Sequence, residues 1–584
     1  MNATALALDV GSAAIPEAAA TIPPTPRGEI DRQVAELGRA KDRWAALGIP
    51  ERIALLERLI ATTNVAAKQW VDVALEAKGI RPGTPQEGEE WLAGPMVTIR
   101  NLRLLVQSLR DVQVIGYPRT PGSPYLRLDG KVAVPVFPAS FFDRLLFTGF
   151  TGEVWMQAGV TLANLRETQA VAYREKRPGK VALVLGAGNV SSIGPMDALY
   201  KLYAENQVVV LKMNPVNEYL GPVFAEAFRP LISEGFLRIV YGGAAEGSYL
   251  CAHPGVEEIH ITGSDKTHDA IVFGVGAEGK RNKANHSPVN RKDISSELGN
   301  VSPIIVVPGP WSAADLRFHG ANLASMLTNN AGFNCNATRV IVQHRGWSQR
   351  GDLLDAVRTV FAAAPTRRAY YPGAGDRYRS FLAAHPNAEQ IGRAAEGELP
   401  WMLASGLDPT RTDDICFTTE AFCSVTSEVG LDGASVADYL RGAVAFANDT
   451  LWGSLNAGII VHPKSLADPE IARAVDQAIA DLRAGSVVVN HWPAISYAIV
   501  CTPWGAFPGH DVYDIRSGSG VVHNAYLFDK PEKSVIRGPF RVFPKPPWFV
   551  TNRNANGVGE RMTRFEAAPS LAKLPGVLWA ALSG

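Results

Sequence analysis

The chain has 584 residues, 46% of them apolar and 20% charged, which is the balance of an ordinary globular protein. Lys plus Arg and Asp plus Glu each number 57, so the formal net charge is zero. A neutral chain gives no reason to expect nucleic acid or an anionic membrane as its main partner. The length predicts two or more domains with large buried cores.

The cysteine and histidine patterns exclude further classes of protein. Five cysteines, an odd number without CxxC spacing, argue against a disulfide framework, and the 11 histidines show no metal-ligand spacing, so we expect no metal. No stretch reaches the ~18 to 20 apolar residues of a membrane span, so no integral membrane segment is expected. Residues 1–27, rich in Ala, Thr and Pro, lack the features of a signal peptide and predict a flexible leader. Together these features favour a cytoplasmic protein.

The first third of the chain is predicted to be helical, with a short β-rich excursion after it. Apolar residues recur at helical spacing over residues 29–47 and again from Pro50, where the proline suits a first helical turn. Residues 86–109 continue the helical pattern. Short β runs between Gly and Pro residues then follow at 112–117, 125–128 and 132–137.

From Lys180 onward, predicted strands alternate with helices in two successive series. The strands of the first series are 181–185, 208–211, 237–240 and 258–261, and those of the second include 303–307, 338–343 and 487–490. Such alternation implies parallel sheets with helices on their faces, so the predicted fold class is α/β. Residues 525–584 return to an irregular pattern rich in Pro and aromatic residues.

Cys335 is the first candidate for a catalytic residue. It lies among small and amide-bearing residues, 38 positions after Glu297, in the segment TNNAGFNCNATR. The pair supplies a nucleophile and a general base, because a thiolate attacks a carbonyl carbon readily and can later leave. The plainer interpretation of a single cysteine is a small buried apolar residue.

Three successive strand ends carry residues suited to binding a ligand. The first strand runs into a glycine turn with Gly188 and Asn189, whose amides and following helix can face an anion. Lys212 ends the next strand, and Gly263 and Ser264 follow another. Ligands bind at this edge of an open α/β sheet. Ordinary tight turns and a solvated lysine are the alternative interpretations of each position taken alone.

These motifs follow one another in the order found in the aldehyde dehydrogenase superfamily, which the chain resembles over residues 29–510. The segment at Glu297 resembles the family's Glu-Leu-Gly-Gly motif, and the segment at Cys335 takes the place of its Gly-Gln-x-Cys motif. The other segments that resemble family motifs are 253–264, 419–422, 446–453 and 502–505. The resemblance implies an aldehyde dehydrogenase-like fold with two Rossmann-like α/β domains and a β-rich bridging and oligomerisation region.

The resemblance also implies a mechanism and a cofactor. Cys335 would attack an aldehyde to form a thiohemiacetal, and hydride transfer to a nicotinamide would leave a thioester. Asn189 and the Cys335 amide would stabilise the oxyanion, and Glu297 would activate the water that hydrolyses the thioester. The residues assigned to binding NAD or NADP are Gly188, Lys212, Gly263, Ser264, Glu420 and Phe422.

Departures from the family pattern leave alternatives open. Pro215 stands where NAD-preferring members often carry a glutamate that would repel a 2′-phosphate, so NADP is admissible. The interval after Cys335 is one residue shorter than usual, as in some CoA-acylating relatives, so a CoA-acylating dehydrogenase or acyl-CoA reductase is the second hypothesis. The retained Glu297 favours hydrolysis. A catalytically idle binding or assembly homologue is the third hypothesis. The presence of Asn189 and Lys212 together with Cys335 and Glu297 argues against it.

The resemblance divides the chain into segments. They are a flexible leader at 1–27, an NAD(P)-binding domain at 28–111 and 160–298, a β-rich bridging excursion at 112–159, a catalytic domain at 299–510 and a C-terminal bridging and oligomerisation extension at 511–584. In the family such bridging regions form subunit contacts, which implies a homodimer or homotetramer. The alternative role for these regions is a lid over an apolar substrate tunnel.

Two further sets of residues invite interpretation. The basic segment 276–292 could contact cofactor phosphates or form a solvated loop. Four residues are proposed to line the substrate channel and suggest an apolar or aromatic aldehyde as substrate: Trp155, Phe333, His491 and Trp492.

Overall fold

The structure is a computed structural model that describes residues 10–175 and 177–584. The predicted α/β class is confirmed, since helices pack around two large sheets built mainly of parallel strands. The α-helices of the described residues are α1 (Arg27–Ala45), α2 (Ile49–Lys78), α3 (Glu87–Trp91), α4 (Val97–Ile115), α5 (Phe141–Leu146), α6 (Ile193–Tyr203), α7 (Gly221–Ala227), α8 (Arg229–Ser233), α9 (Ala244–Ala252), α10 (Asp265–Phe273), α11 (Gly276–Ala284), α12 (Ala313–Thr328), α13 (Arg350–Ala363), α14 (Ala374–Ala384), α15 (Ile415–Thr418), α16 (Val436–Asp449), α17 (Pro463–Leu466), α18 (Pro469–Asp481), α19 (Ala494–Ile499), α20 (Ala555–Ala567) and α21 (Leu574–Leu582).

The strands of the same residues are β1 (Gly11–Ser12), β2 (Tyr125–Leu126), β3 (Val132–Phe137), β4 (Thr151–Met156), β5 (Val181–Leu185), β6 (Val208–Lys212), β7 (Leu237–Val240), β8 (Glu258–Gly263), β9 (Asp293–Leu298), β10 (Pro303–Val306), β11 (Val340–His344), β12 (Arg367–Arg368), β13 (Glu389–Ile391), β14 (Glu398–Leu399), β15 (Trp401–Leu407), β16 (Thr419–Glu420), β17 (Val425–Leu431), β18 (Asn456–Ile460), β19 (Ser486–Val489), β20 (Trp504–Gly505), β21 (Gly518–Ser519), β22 (Val521–Val522) and β23 (Pro531–Arg537). A π-helical turn (Leu92–Met96) joins α3 to α4. No helix among the described residues has the length and apolar character that crossing a membrane requires.

The smaller sheet has six strands in the order β21-β9-β8-β5-β6-β7, of which β21 alone is antiparallel to its neighbour. Its central strands β5 and β6 are buried along their whole length, as expected for a parallel sheet covered on both faces. Trp44 of α1 and Trp70 of α2 belong to the same core as Leu183 of β5. The carboxyl ends of β5, β6 and β8 therefore meet at one edge of a rigid, well-covered sheet.

The larger sheet has eleven strands in the order β13-β15-β17-β11-β10-β18-β19-β23-β4-β3-β2. Strand β19 pairs in parallel with β23, which pairs antiparallel with β4, and β3 and β2 continue the sheet. Strands of the predicted bridging excursion and extension thus hydrogen-bond to the catalytic sheet of their own chain. The homodimer or homotetramer and the domain boundaries inferred from the sequence stay predictions.

The predicted strand at 112–117 is wrong, because α4 runs on to Ile115. Leu105, Leu109 and Val112 recur at helical spacing and are buried in the core. Their packing overrides the β propensity of the apolar residues that follow. The runs predicted at 125–128 and 132–137 do contain β2 and β3.

The C-terminal segment is more regular than its sequence pattern indicates. Residues 525–584 contain β23 and the helices α20 and α21. These two helices form a small core in which Met562, Phe565 and Val577 pack with Met96. The helical period begins only at residue 555, after a run rich in Pro and aromatic residues that dominates the composition of the segment.

The basic segment 276–292 contains a helix, α11, so the expected loop is wrong over its first half. Lys283 pairs with Asp269 at 2.8 Å. Further on, Lys292 donates from Nζ to the carbonyls of Cys251 and His253 at 2.8 and 2.7 Å. Two of the basic side chains in this segment, Lys283 and Lys292, are therefore bound to other parts of the protein.

The first nine residues of the predicted leader lie outside the described residues. From Val10 onward the segment follows the body of the protein: β1 pairs in parallel with β16, and the Ser12 amide donates to Asp265 Oδ1 at 2.9 Å. The Ile22 amide donates to Glu218 at 2.7 Å. The segment between these contacts therefore runs along the carboxyl edge of the smaller sheet.

A buried ion network ties α20 to the remainder of the fold. Arg100 of α4 contacts Asp143 of α5 at 2.9 Å and Glu566 of α20 at 2.8 Å, and all three side chains are buried. Arg103 adds a second cation to Glu566 at 2.9 Å. The Nε of Arg100 also donates to the carbonyl of Ile499 in α19. Four helices therefore meet at one guanidinium group.

Replacing Glu566 with alanine should lower the free energy of unfolding by about 3 to 5 kcal/mol, because it leaves a buried arginine short of a partner. Urea unfolding followed by circular dichroism measures the change. The matched control is Glu560→Ala on the same helix, which removes an exposed pair with Arg564 and should change the stability by no more than about 0.5 kcal/mol. Equal effects of the two substitutions would show that the network does not hold α20.

Candidate active site

Cys335 follows a strained turn at the end of α12. Asn330, Ala331 and Gly332 have φ angles of 50°, 55° and 81°, so three successive residues lie in the left-handed region. At Gly332 a Cβ atom would lie 2.5 Å from the carbonyl oxygen of Cys423, so only glycine fits. The turn presents Cys335 at the junction of two cavities, both of which it lines.

Arg339 holds this turn from behind. Its guanidinium is buried and donates to the carbonyls of Gly332 at 2.6 Å, Asn334 at 3.3 Å and Cys423 at 2.7 Å. Five planar donors allow one arginine to bind several carbonyls at once, which lysine cannot do in the same geometry. The sequence analysis did not single out Arg339, because an arginine at the start of a strand carries no distinctive signal.

Glu297, near the end of β9, lies against Cys335. Both residues line both cavities, and Trp504 donates from Nε1 to Glu297 Oε1 at 3.1 Å. Burial, with the carboxylates of Asp197 and Glu420, raises the pKa of Glu297 to about 8. Burial and the neighbouring carboxylates also raise the pKa of the Cys335 thiol. The resting thiol is therefore neutral and has a carboxyl group in contact that can exchange a proton with it.

Asn189 lies in the turn after β5 and reaches the same point. Its Nδ2 donates to the carbonyl of Phe333 at 2.9 Å, two residues before Cys335. Its own carbonyl accepts from Lys78, Asn330 and Tyr370 at 3.1, 3.0 and 3.1 Å. The side-chain amide is thus fixed beside the cysteine. Its bond to the Phe333 carbonyl uses one of its two N–H groups.

Lys78 is a supporting residue that the sequence analysis missed. It is buried at the end of α2 and pairs with Glu90 at 2.8 Å while it contacts the carbonyl of Asn189. Before a glycine at a helix end, a lysine is expected to face solvent and the negative end of the helix dipole. The inward orientation of Lys78 therefore could not be predicted from the sequence.

A cleft of about 970 Å³ lies on one side of Cys335, at the carboxyl edge of the smaller sheet. The residues predicted from the sequence that line it are Cys335, Glu297, Asn189, Lys212, Gly263, Ser264, Glu420 and Phe422. Gly188 is not among the lining residues. A Cβ atom at this position would meet Val216 and Asn214. Residues from β5, β6, β8, β9 and β16 are therefore brought together around one space.

The cleft fits a ligand that presents hydroxyl groups. Glu420 Oε1 is buried and has no hydrogen-bond partner in the described part of the chain. Burial, opposed by Arg339, raises the pKa of Glu420 to about 7. Burial lowers the pKa of Lys212, which lies at the end of β6 on the cleft wall. An unpaired carboxylate oxygen and a lysine at a sheet edge suit the ribose hydroxyls of a dinucleotide.

The N-terminal segment lines the same cleft. Ser12, Ile15, Pro16 and Glu17 are among its wall residues, and Glu17 accepts from the amide of Ala244 at 2.6 Å. That amide belongs to the first turn of α9, where a negative charge is favoured by the helix dipole. The sequence analysis missed this contribution, because the composition of the segment resembles that of a leader.

A second cavity of about 310 Å³ reaches Cys335 from the opposite side. Of the four residues proposed to line a substrate channel, the structure places Trp492 on its wall. Trp155 is covered by Arg127, whose guanidinium lies 3.3 Å from the ring centroid, and His491 donates to the carbonyl of Pro539 at 2.8 Å. Phe333 stacks on Tyr371 in the core behind the cysteine.

One cluster outside the two cavities brings possible metal ligands together. His385, Asp414 and Cys416 offer ligand atoms within 4.8 Å of one another. Asp414 Oδ1 already accepts from His385 Nε2 and from the Cys416 amide, each at 2.9 Å. These bonds account for the grouping as the cap of the short helix α15.

Comparison with known proteins bears on the fold and the family. Residues 146–367 match the family model described as "Aldehyde dehydrogenase family". The chain is 26% identical to 4-trimethylaminobutyraldehyde dehydrogenase of Oryzias latipes over 58% of its length and 64% of that protein. It is 27% identical to the enzyme of that name from Homo sapiens over 55% of its length and 62% of that protein. The chain thus spans less than two thirds of these curated relatives.

The structure is similar to solved aldehyde dehydrogenases. Aldehyde dehydrogenase 21 from Physcomitrella patens, in complex with succinate, matches with a TM-score of 0.59 and 15% identity over 88% of this chain and 91% of that one. Aldehyde dehydrogenase C from Pseudomonas syringae, complexed with NAD+ and octanal, matches with a TM-score of 0.56 and 17% identity over 88% and 89%. The fold is therefore that of an aldehyde dehydrogenase. The family model matches residues 146–367, and the similarity of fold extends over 88% of the chain.

Replacing Gly332 with alanine should lower the free energy of unfolding by more than about 1 kcal/mol, because the new methyl group meets the Cys423 carbonyl in a left-handed backbone. The matched control is Gly351→Ala in α13, where a Cβ meets nothing within 4 Å. That change should raise the stability by up to about 1 kcal/mol. Urea unfolding monitored by tryptophan fluorescence measures both, and a neutral Gly332→Ala would contradict the strained turn.

Proposed function

We propose that the protein oxidises an aldehyde to a carboxylate with NAD or NADP, using Cys335 as nucleophile. The observation that carries the proposal is that Cys335 and Glu297 lie together at the junction of two cavities, both of which they line. One cavity suits a dinucleotide, and the other is open to a second molecule. A nucleophile, a base and two meeting sites are the parts that oxidation through a covalent intermediate requires.

The addition step uses the residues around Cys335. The sulfur bonds to the carbonyl carbon, the thiol proton passes to Glu297, and negative charge develops on the aldehyde oxygen. The second N–H of Asn189, whose Nδ2 already donates to the Phe333 carbonyl beside the cysteine, and the Cys335 amide would stabilise that charge. Lys78 and Tyr370 keep the Asn189 backbone in position through its carbonyl. A thiohemiacetal results.

A nicotinamide dinucleotide, when bound, supplies the hydride acceptor. We assign Lys212, Glu420 and Phe422 to its ribose groups and ring, and Gly263 and Ser264 to the vicinity of its diphosphate. An acceptor held there would take the hydride of the thiohemiacetal and leave a thioester on Cys335. Glu297 first releases the thiol proton to solvent and then takes a proton from water. The hydroxide oxygen bonds to the thioester carbon, the C–S bond breaks to release the acid, and the thiolate recovers a proton from Glu297.

The expected cytoplasmic location and the homo-oligomer remain predictions, as does the choice between NAD and NADP. Pro215 lines the cleft beside Lys212 and introduces no charge that would repel a 2′-phosphate. The contact of Glu297 with Cys335 supports water as the acyl acceptor, and CoA is the alternative that the first experiment tests.

The first experiment follows NAD(P)H absorbance with both cofactors and an aldehyde panel, with and without CoA. The panel includes alkanals and 4-trimethylaminobutyraldehyde, after the names of the curated relatives. We expect reduction without CoA that falls by at least about 1,000-fold in Cys335→Ala, since no other group replaces the nucleophile. The control is Cys416→Ala, a buried cysteine that lines neither cavity.

Turnover that requires CoA would assign the protein to the acylating class. Tight binding of NAD or NADP without turnover of any aldehyde would favour the idle homologue. Equal activity of Cys335→Ala and the wild type would overturn the role of Cys335.

The pKa of about 8 for Glu297 predicts the pH dependence of the reaction. Below that pH the carboxyl group is protonated and cannot accept a proton; above it the carboxylate is available. The value of kcat/KM should therefore rise with pH and level off above about 8, because this parameter reports ionisation of the free enzyme. Glu297→Gln should abolish this rise, whereas the exposed Glu560→Gln should retain it. A profile that is flat from pH 6 to 9 in the wild type would contradict the assignment.

A further inference from the structure

The cavity on the substrate side of Cys335 is walled largely by apolar groups that the C-terminal segment supplies. It extends from Cys335, Asn189 and Glu297 to the surface. Its outer wall consists of side chains from the π-helical turn, α5, α20, α21 and the segment before them, among them Leu92, Leu146, Phe543, Trp548, Met562 and Leu578. Helices α20 and α21 therefore form one side of the passage to the cysteine.

These two helices are fixed in place. Met562 and Val577 pack with Met96 in a core of their own, and Glu566 is held by Arg100 and Arg103. The passage is thus a built feature with a stable wall. A flexible tail lying loosely over the site would not have buried ion pairs beneath it.

Charged groups along the passage are already paired or lie at its inner end. Among the described residues that line it, Lys545 is the only lysine or arginine, and its Nζ donates to the carbonyl of Thr551 at 2.8 Å. Glu89 pairs with Arg367 at 3.1 Å. Burial lowers the pKa of His523 to about 4, so this side chain is neutral near pH 7. An aldehyde with a cationic tail would meet no free carboxylate on the outer wall, and Lys545 is the one cation that an anionic tail could meet there.

Apolar groups continue to the mouth of the passage. Phe543 is 86% exposed, Leu145 43% and Leu578 36%, and all three line it. Apolar side chains at the surface are ordinary when scattered, but here they continue a buried apolar wall outward. The wall of the passage is therefore mainly apolar from its mouth inward, and polar groups gather at the inner end near Cys335.

We propose that the substrate is an aldehyde with an extended, uncharged apolar tail, which lies beneath α20 and α21 while its carbonyl carbon reaches Cys335. This inference rests on the proposed aldehyde oxidation. The free energy of binding should come mainly from transfer of the tail out of water, which is proportional to the apolar area buried.

The test compares n-alkanals from butanal to decanal with succinic semialdehyde and 4-trimethylaminobutyraldehyde. Each added methylene should raise kcat/KM by about fourfold until the passage is filled, the factor that corresponds to the transfer of one CH₂ group. The charged aldehydes should fall below alkanals of the same chain length. A flat dependence on chain length, or a preference for either charged aldehyde, would overturn the inference.

Two substitutions locate the tail. Leu578→Asp introduces a charge at the mouth and should lower the ratio of kcat/KM for decanal to that for butanal at least about tenfold, because the tail would remove its carboxylate from water. The matched control is Leu582→Asp on the same helix, which is exposed but does not line the passage and should leave the ratio unchanged. Met562→Trp, which narrows the passage from inside, should lower the same ratio. Equal ratios in Leu578→Asp, Leu582→Asp and the wild type would exclude a tail beneath α21.

A binding measurement separates this inference from the proposed reaction. Isothermal titration of Cys335→Ala with n-alkanamides, from butanamide to decanamide, uses a neutral head group and requires no turnover. Affinity should tighten with each methylene by about the same fourfold factor. Tightening without aldehyde turnover would support the apolar passage and overturn the proposed oxidation. Turnover without tightening would support the oxidation and overturn the apolar tail.

Discussion

The arrangement of the site depends on the backbone between Asn330 and Cys335. A left-handed conformation costs an ordinary residue roughly 1 to 2 kcal/mol, and here it is adopted by Asn330 and Ala331 in succession. Arg339 offsets that cost, since it binds three carbonyls around the turn with one buried guanidinium. The same turn brings the Phe333 carbonyl to Asn189. The positions of nucleophile and amide donor are thus set by one constrained loop.

The second constraint is the shared burial of carboxyl groups. Besides burial, the carboxylates of Asp197 and Glu420 raise the pKa of Glu297, and that of Asp265 raises the pKa of Glu420. Few counter-charges are available there: Arg339 and Arg377 act on Glu420, and Glu297 accepts a hydrogen bond from Trp504. In water such carboxyl groups would be ionised at neutral pH and would serve poorly as bases. Exclusion of water from the junction moves their pKa values into a range where proton exchange near pH 7 to 8 is possible.

Much of the fold could be predicted from the sequence, because the strands of the two sheets are buried apolar runs bounded by turns. The α/β class is confirmed, and the resemblance to aldehyde dehydrogenases is borne out by the match of residues 146–367 and by the similarity of fold. The end of α4 was missed because Val112 and its neighbours favour strands locally, whereas core packing at helical spacing decides the outcome. The helices α20 and α21 were missed because the Pro-rich run before them masked their period.

The site could be predicted only where its residues fall in compact motifs. Cys335, Glu297, Lys212 and Glu420 lie together as expected, although their roles stay proposals. The contacts that support these residues could not be predicted from the sequence. Lys78 and Asn189, for example, are 111 positions apart along the chain. Such pairings are fixed by tertiary packing, and a single sequence does not reveal them.

The ion network beneath α20 has a consequence for how molecules reach the cysteine. Swinging this helix outward would separate Glu566 from Arg100 and Arg103, so that the buried Arg100 would keep Asp143 as its one carboxylate partner and Arg103 would lose its own. That energetic penalty opposes any hinge-like opening. The passage beside the helix therefore behaves as an aperture of fixed diameter, and the cross-section of a molecule, more than its length, decides whether it can enter.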